Sequence, residues 1–207
     1  MTEAKAHPFY AMHEHGFVRV ATSTPQVRTA DVAFNRDAVL AEARRAHAAH
    51  VDLLVYPELC LSSYAIDDLH LQSAMIEAVA EAIGEIVKAS ADLSPVLLIG
   101  AALMHKGRLY NCALAIAHGK LLGVVPKSYL PNYREFYEKR WFASGKDLRG
   151  QTIRVNGHDV PFGVDIVFAS EVLPHFRFFI EICEDFWAAT PPSSLGALAG
   201  ATILCNL

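Results

Sequence analysis

The chain has 207 residues, 53% of them hydrophobic and 19% charged, with a formal net charge of −4. That is ample material for one packed core. The balance excludes the basic footprint that nucleic acid or an anionic lipid surface demands, and no stretch reaches the ~20 apolar residues of a membrane helix.

The opening MTEAKAHPFY is short, mixed and interrupted by Pro8, unlike a secretory signal. Residues 1–15 are expected to form a mobile N-terminal segment before a domain over 16–207. His13-Glu14-His15 offers two ligands without an evident third, so no metal is assigned. Phe17–Thr22 alternates and predicts a strand. Asp31–Ala49 predicts a helix with Val32, Val39, Leu40, Ala43 and Ala46 near one face. Asp52–Tyr56 is an apolar strand that stops at Pro57. Leu71–Ser90 predicts a second helix, with Met75, Val79, Ile83, Ile86 and Val87 on one stripe.

Beyond Pro95, the segments Val96–Leu103, Leu109–Ala117 and Leu121–Val125 are joined by the tight turns Lys106-Gly107 and His118-Gly119-Lys120. They predict two consecutive hairpins and hence a mixed sheet. Residues 128–150 are polar, aromatic and irregular, the pattern of a functional loop inside a domain. Strands are expected at Gln151–Val155, Val164–Phe168 and Phe176–Ile182, a helix at Ser193–Ala199, and a buried strand at Thr202–Leu207. The four cysteines are far apart and none forms a C-x-x-C pair, which predicts free thiols and a cytoplasmic location.

Three segments share a design: an apolar strand ending in one reactive residue. LLVYPEL places Glu58 past a strand end, LLGVVPKSYLP does so for Lys127, and FRFFIEICEDFW for Cys183. A carboxylate, an ammonium and a thiol at strand ends can converge at one sheet edge, where open α/β sheets bind ligands. Each also has a plain reading: Cys183 as core packing, Glu58 as a turn cap, Lys127 as a solvated charge. Carboxylates flank Cys183 (Glu181, Glu184, Asp185), which is unusual for a packing residue.

Taken in order, the three motifs resemble the Glu-Lys-Cys carbon–nitrogen hydrolases of the nitrilase superfamily. The segments HGFVRVA, PKSYLPNYREFYEKRWF, EICEDFW and PPSSLGALAGATILCNL are similar to the glutaminase domains of glutamine-dependent NAD⁺ synthetases. The resemblance implies an α/β fold, the nitrilase-like αββα sandwich with two mixed sheets. It implies that glutamine is hydrolysed through a Cys183 thioester and that the ammonia feeds NAD⁺ synthesis from nicotinic acid adenine dinucleotide. Glu58 would be the general base, and Lys127 with the N–H after Cys183 would bind the oxyanion. A charged Lys127 nearby would favour the thiolate. Glu135, eight positions after Lys127, would hold the lysine and the substrate amide. Tyr64, Tyr133, Phe136 and Glu184 would shape the glutamine pocket. The family usually has Gly where Ser63 stands, which matters if that position needs φ > 0.

The same resemblance implies a C-terminal synthetase partner domain that uses ATP and Mg²⁺, a homo-oligomer, and a hydrolase domain truncated within 16–207 and inactive when made alone. No cofactor is expected in this chain. A standalone amidase or carbamoylase, and a non-catalytic module of the same fold, are the alternatives.

Overall fold

The computed structural model describes residues 8–207. Two mixed sheets are stacked face to face between helices, the expected αββα sandwich. The larger is built from β1 (Val20–Thr22), β2 (Leu53–Val55), β3 (Val96–His105), β4 (Arg108–Ala117), β5 (Lys120–Pro126), β6 (Gln151–Val155) and β7 (His158–Phe162), in the order β1-β2-β3-β4-β5-β7-β6. The smaller contains β8 (Val167–Ala169), β9 (Arg177–Glu181) and β10 (Ile203–Asn206), in the order β10-β9-β8. Parallel pairs (β1/β2, β2/β3, β5/β7, β9/β10) and antiparallel pairs (β3/β4, β4/β5, β6/β7, β8/β9) occur together.

The two-residue periodicity of the strands explains the layers. On one face of the large sheet Leu54, Leu97, Ile99, Leu114 and Ile116 pack against α1 (Val32–Ala48) and α2 (Ser73–Ala89) through Val39, Leu40, Ala43, Val79, Ile83 and Ile86. On the other face Leu53, Leu98, Ala113, Ala115 and Val125 meet Phe168, Phe178, Ile180, Ile182 and Cys205 of the small sheet. Phe179 points the opposite way and lies against Gly196 of α3 (Pro192–Leu198), the outer layer; a Cβ at Gly196 would overlap the Phe179 ring. Asp31 caps α1 by accepting a hydrogen bond from the Phe34 N–H at 3.1 Å.

The hairpin turns have the predicted chemistry: Lys106 and Gly107, and His118 and Gly119, all have positive φ, as a type I′ turn requires. A third turn of this kind, Asn156-Gly157, joins β6 to β7. β7 was not among the expected strands, and it carries Pro161, a residue that argues against a strand. It is tolerated because β7 pairs with β5 at a single position, Val124 with Phe162. The strand expected over 164–168 is shorter and later, and residues 163–166 form the bend that carries the chain from one sheet to the other. The strand expected to be buried over Thr202–Leu207 forms as β10, with Cys205 buried but Leu204 49% exposed.

Residues 1–7 lie outside the described residues. Within the expected N-terminal segment, Pro8–Tyr10 and Met12–His15 form short 3-10 turns that end at Gly16 in the left-handed region. His13 Nε2 bonds the Asp52 carboxylate at 3.0 Å. Among the described residues no group of His, Cys, Asp and Glu is placed to hold a metal, and no helix is long and apolar enough to cross a membrane.

Candidate active site

Glu58, Lys127 and Cys183 follow β2, β5 and β9, so two of them come from the large sheet and one from the small. Glu58 and Cys183 line an open depression of about 640 Å³ with Pro57, Tyr64, Phe186, Trp187, Asn206 and Leu207. Beneath it, Lys127 is buried, 1% exposed, and its ammonium donates to Glu58 Oε1 at 2.6 Å and to Glu138 Oε1 at 2.7 Å. Burial by itself would push the Lys127 pKa down. The two carboxylates outweigh it, so the net direction is up and the ammonium stays charged.

The structure moves the second glutamate. Glu135, expected to hold the lysine, is exposed, and the contact belongs to Glu138, fully buried three residues later. The 3-10 turn Glu138–Arg140 explains the shift. It places Glu138 on the same inward side as Trp141 and Phe142, both buried. A carboxylate three and four positions before two apolar aromatics was the available signal. Tyr64 donates to Glu138 Oε1 at 2.8 Å, while Glu138 Oε2 is buried with no partner in the structure. Burial pushes the Glu138 pKa up against the pull of Lys127.

Asn111, in β4, was also missed. Its amide donates to Glu58 Oε1 at 2.6 Å, the oxygen that Lys127 also holds. Its backbone carbonyl accepts from the Lys127 backbone N–H at 2.8 Å. Nothing in the local sequence marks it, since the surrounding YNCALAI reads as an ordinary buried strand.

Cys183 opens a 3-10 helix, Cys183–Trp187, with φ +45, a left-handed conformation that costs a non-glycine residue about 1–2 kcal/mol. Its N–H is held by Leu207 O at 2.9 Å and Asn206 Oδ1 at 3.1 Å. Partial burial and the facing Glu58 carboxylate push the thiol up to about 11, and Lys127 only partly offsets them. The pull of Lys127 toward the thiolate, expected from the sequence, is thus outweighed, and the balance favours the neutral thiol facing Glu58.

Asp185, two residues on, is buried at 1% exposure. It accepts from the N–H groups of Ser128 (3.0 Å), Tyr129 (2.7 Å) and Ile182 (3.1 Å). Burial lifts its carboxyl to about 6, against the pull of those three donors.

The four expected pocket residues form one run of contacts. Tyr64 meets Phe136 edge-on, with ring centroids 6.3 Å apart, and Phe136 meets Tyr133 at 6.1 Å. The Tyr133 hydroxyl then donates to the Glu184 carboxylate at 3.0 Å. Ser63 has φ +73, the conformation for which glycine is suited.

The carbon-nitrogen hydrolase family model matches residues 19–207. The chain belongs to the carbon-nitrogen hydrolase family. Among carbon-nitrogen hydrolases and the proteins that contain them, it is 52% identical over 199 residues to a glutamine-dependent NAD(+) synthetase of Mycobacterium tuberculosis, covering 96% of this chain and 29% of that protein. It is 30% identical over 155 residues to the corresponding synthetase of Aquifex aeolicus, covering 75% and 24%. A solved glutamine-dependent NAD(+) synthetase from Cytophaga hutchinsonii superposes with a TM-score of 0.78 at 28% identity, over 91% of this chain and 30% of that one. An amidase from Nesterenkonia sp. shares the fold with a TM-score of 0.72 at 19% identity, over 91% and 64%. This carbon-nitrogen hydrolase chain thus spans under a third of the length of the synthetases it matches.

Proposed function

We propose that the chain hydrolyses the side-chain amide of glutamine through a thioester on Cys183, and that the ammonia serves NAD⁺ synthesis by a synthetase domain. The observation that carries this reading is the junction itself: a thiol facing a carboxylate that is held by a buried ammonium, in a chain half identical to a glutamine-dependent synthetase.

Lys127 and Asn111 both occupy Glu58 Oε1, which leaves the other oxygen for the thiol proton. Glu58 takes that proton as the sulfur attacks the amide carbon, so no free thiolate has to accumulate. The C=O electrons move onto oxygen. Lys127 and the Glu184 N–H, in the first turn of the short helix, supply donors for this oxyanion, each worth about 3 kcal/mol in comparable sites. The intermediate collapses, the C–N bond breaks, and Glu58 returns its proton to the departing ammonia. Water then attacks the thioester with Glu58 again as base, releasing glutamate and restoring the thiol. The unpartnered Oε2 of Glu138 is suited to accept an N–H of the substrate amide. Glu184, already paired with Tyr133, is suited to the substrate α-ammonium.

Glutamate release by the intact protein tests the reading. Glutamine should be hydrolysed in preference to simple aliphatic amides, and Cys183→Ala should abolish hydrolysis while synthesis from free ammonia continues. Aliphatic amides hydrolysed in place of glutamine would overturn the substrate assignment.

A further inference from the structure

Lys127 and Cys183 belong to different sheets, whose contact is an apolar interface of Leu98, Ala113, Ala115, Phe178 and Ile180. Such an interface is non-directional and does not by itself set the offset between two strand ends. Yet transfer of a proton and attack on a carbonyl tolerate misplacements well under 1 Å. Something directional has to fix the distance.

We propose that Asp185 is a positioning residue whose carboxylate fixes Lys127 and Cys183 relative to each other across the gap between the sheets. One oxygen, Oδ1, accepts from Ser128 and Tyr129, the two residues that follow Lys127. The other, Oδ2, accepts from Ile182, the residue before Cys183. A helix-capping role accounts only for the bond to Ile182. The Oδ1 bonds reach backbone 56 and 57 positions away in sequence, in the loop leaving β5. Both strand ends are thereby tied to one rigid planar group, by hydrogen bonds of the stronger, charge-assisted kind. The inference rests on the glutaminase reading for its activity test, but its geometry does not.

Its stability signature differs from that of an ordinary buried polar residue. The carboxyl is raised to about 6, above its ordinary 3.8. The folded chain therefore binds this proton more tightly than the unfolded chain does. Its contribution to stability is greatest at low pH and declines as pH rises from about 4 to about 6. At pH 7.5 the group is ionised in place; Asn keeps an acceptor for Ser128 and Tyr129 but turns an NH2 toward the Ile182 N–H, so it should weaken the fold less than Ala does.

Asp185→Asn and Asp185→Ala should be compared with wild type in the intact protein at pH 7.5. For Asn, kcat for glutamine should fall about thirtyfold with KM within threefold and Tm lowered less than in Ala. Ala, which loses the Oδ1 bonds as well, should fall further. Hydrogen exchange provides an arm that needs no substrate: the Ser128, Tyr129 and Ile182 amides should lose protection in the Ala variant. Unchanged kcat in both variants would overturn the proposal, as would a joint collapse of kcat, KM and Tm in the Asn variant, or full retention of amide protection in the Ala variant. An inactive wild type would instead strike the glutaminase reading, and the exchange arm would still decide the geometry.

Discussion

In the proposed reaction Cys183 is kept as a thiol until the substrate arrives. With its pKa pushed to about 11, the neutral form outnumbers the thiolate by roughly a thousand to one at pH 7.5. Without glutamine, iodoacetamide labelling of Cys183 should therefore climb steadily as pH rises from 7 toward about 11. A flat rate between pH 6 and 9 would mean a pre-formed ion pair and would contradict the proton-coupled attack. Lys127 poses a different test. Lys127→Met leaves Glu58 and Glu138 facing each other without their counter-ion, a change of the kind that costs about 3–5 kcal/mol. Its Tm should drop well below that of Cys183→Ala, and adding Glu138→Gln should recover part of the loss. Equal Tm values for the two single variants would mean that Lys127 is not the charge that holds this junction.

At the scale of elements, the position of Glu58 is set by how closely β3 passes beneath it. A Cβ on Gly100 would lie 2.6 Å from Pro57 O and 2.8 Å from the Glu58 carbonyl carbon, and closer still to the Leu59 nitrogen. All three are backbone atoms, so the segment bearing Glu58 must move. Gly100→Ala should lower kcat by about a hundredfold, the scale for a misplaced catalytic group, as well as destabilising the fold. Gly123→Ala, which meets the Phe168 ring in the interface between the sheets, should destabilise without a matching loss of kcat. Similar kcat in the two variants would remove the special role of Gly100.

The same close packing shows why some of the site could be seen in the sequence and some could not. Glu58, Lys127 and Cys183 end apolar strands, and strand ends are local features that a pattern of residues reveals. Tyr133, Phe136 and Glu184 came from resemblance and Tyr64 from its place six residues after Glu58, and the fold brings them into contact. Glu138 was displaced to Glu135 because an offset counted through an irregular loop does not reveal which turn faces inward. Asn111 and Asp185 contact partners 53 to 57 positions away; the contact of Asn111 exists only once the large sheet has paired, and that of Asp185 only once the two sheets are stacked. β7 was missed although Asn156-Gly157, directly after the expected strand 151–155, is a local hairpin signal.

In the whole molecule, the two halves of the site rest on parts of unequal robustness. β3 and β4 are flanked on both edges and buried on both faces, whereas among the described residues β10 pairs only with β9. Amides of β3 and β4 should be the slowest to exchange, and those of β8, β9 and β10 should open at lower free energy. Exchange of the small sheet as slow as that of β3 would show that the two sheets open as one cooperative unit.

The buried trio of Glu58, Lys127 and Glu138 also constrains how such a chain can change over generations. A copy released from selection for catalysis can lose either carboxylate and keep a balanced pair. Losing the lysine first strands two buried anions and endangers the fold itself. Decay therefore has an order, with a glutamate or the thiol going before the lysine. Lys127 can thus outlive the proposed reaction, and a homologue that retains only the lysine is weakly vouched for as an enzyme.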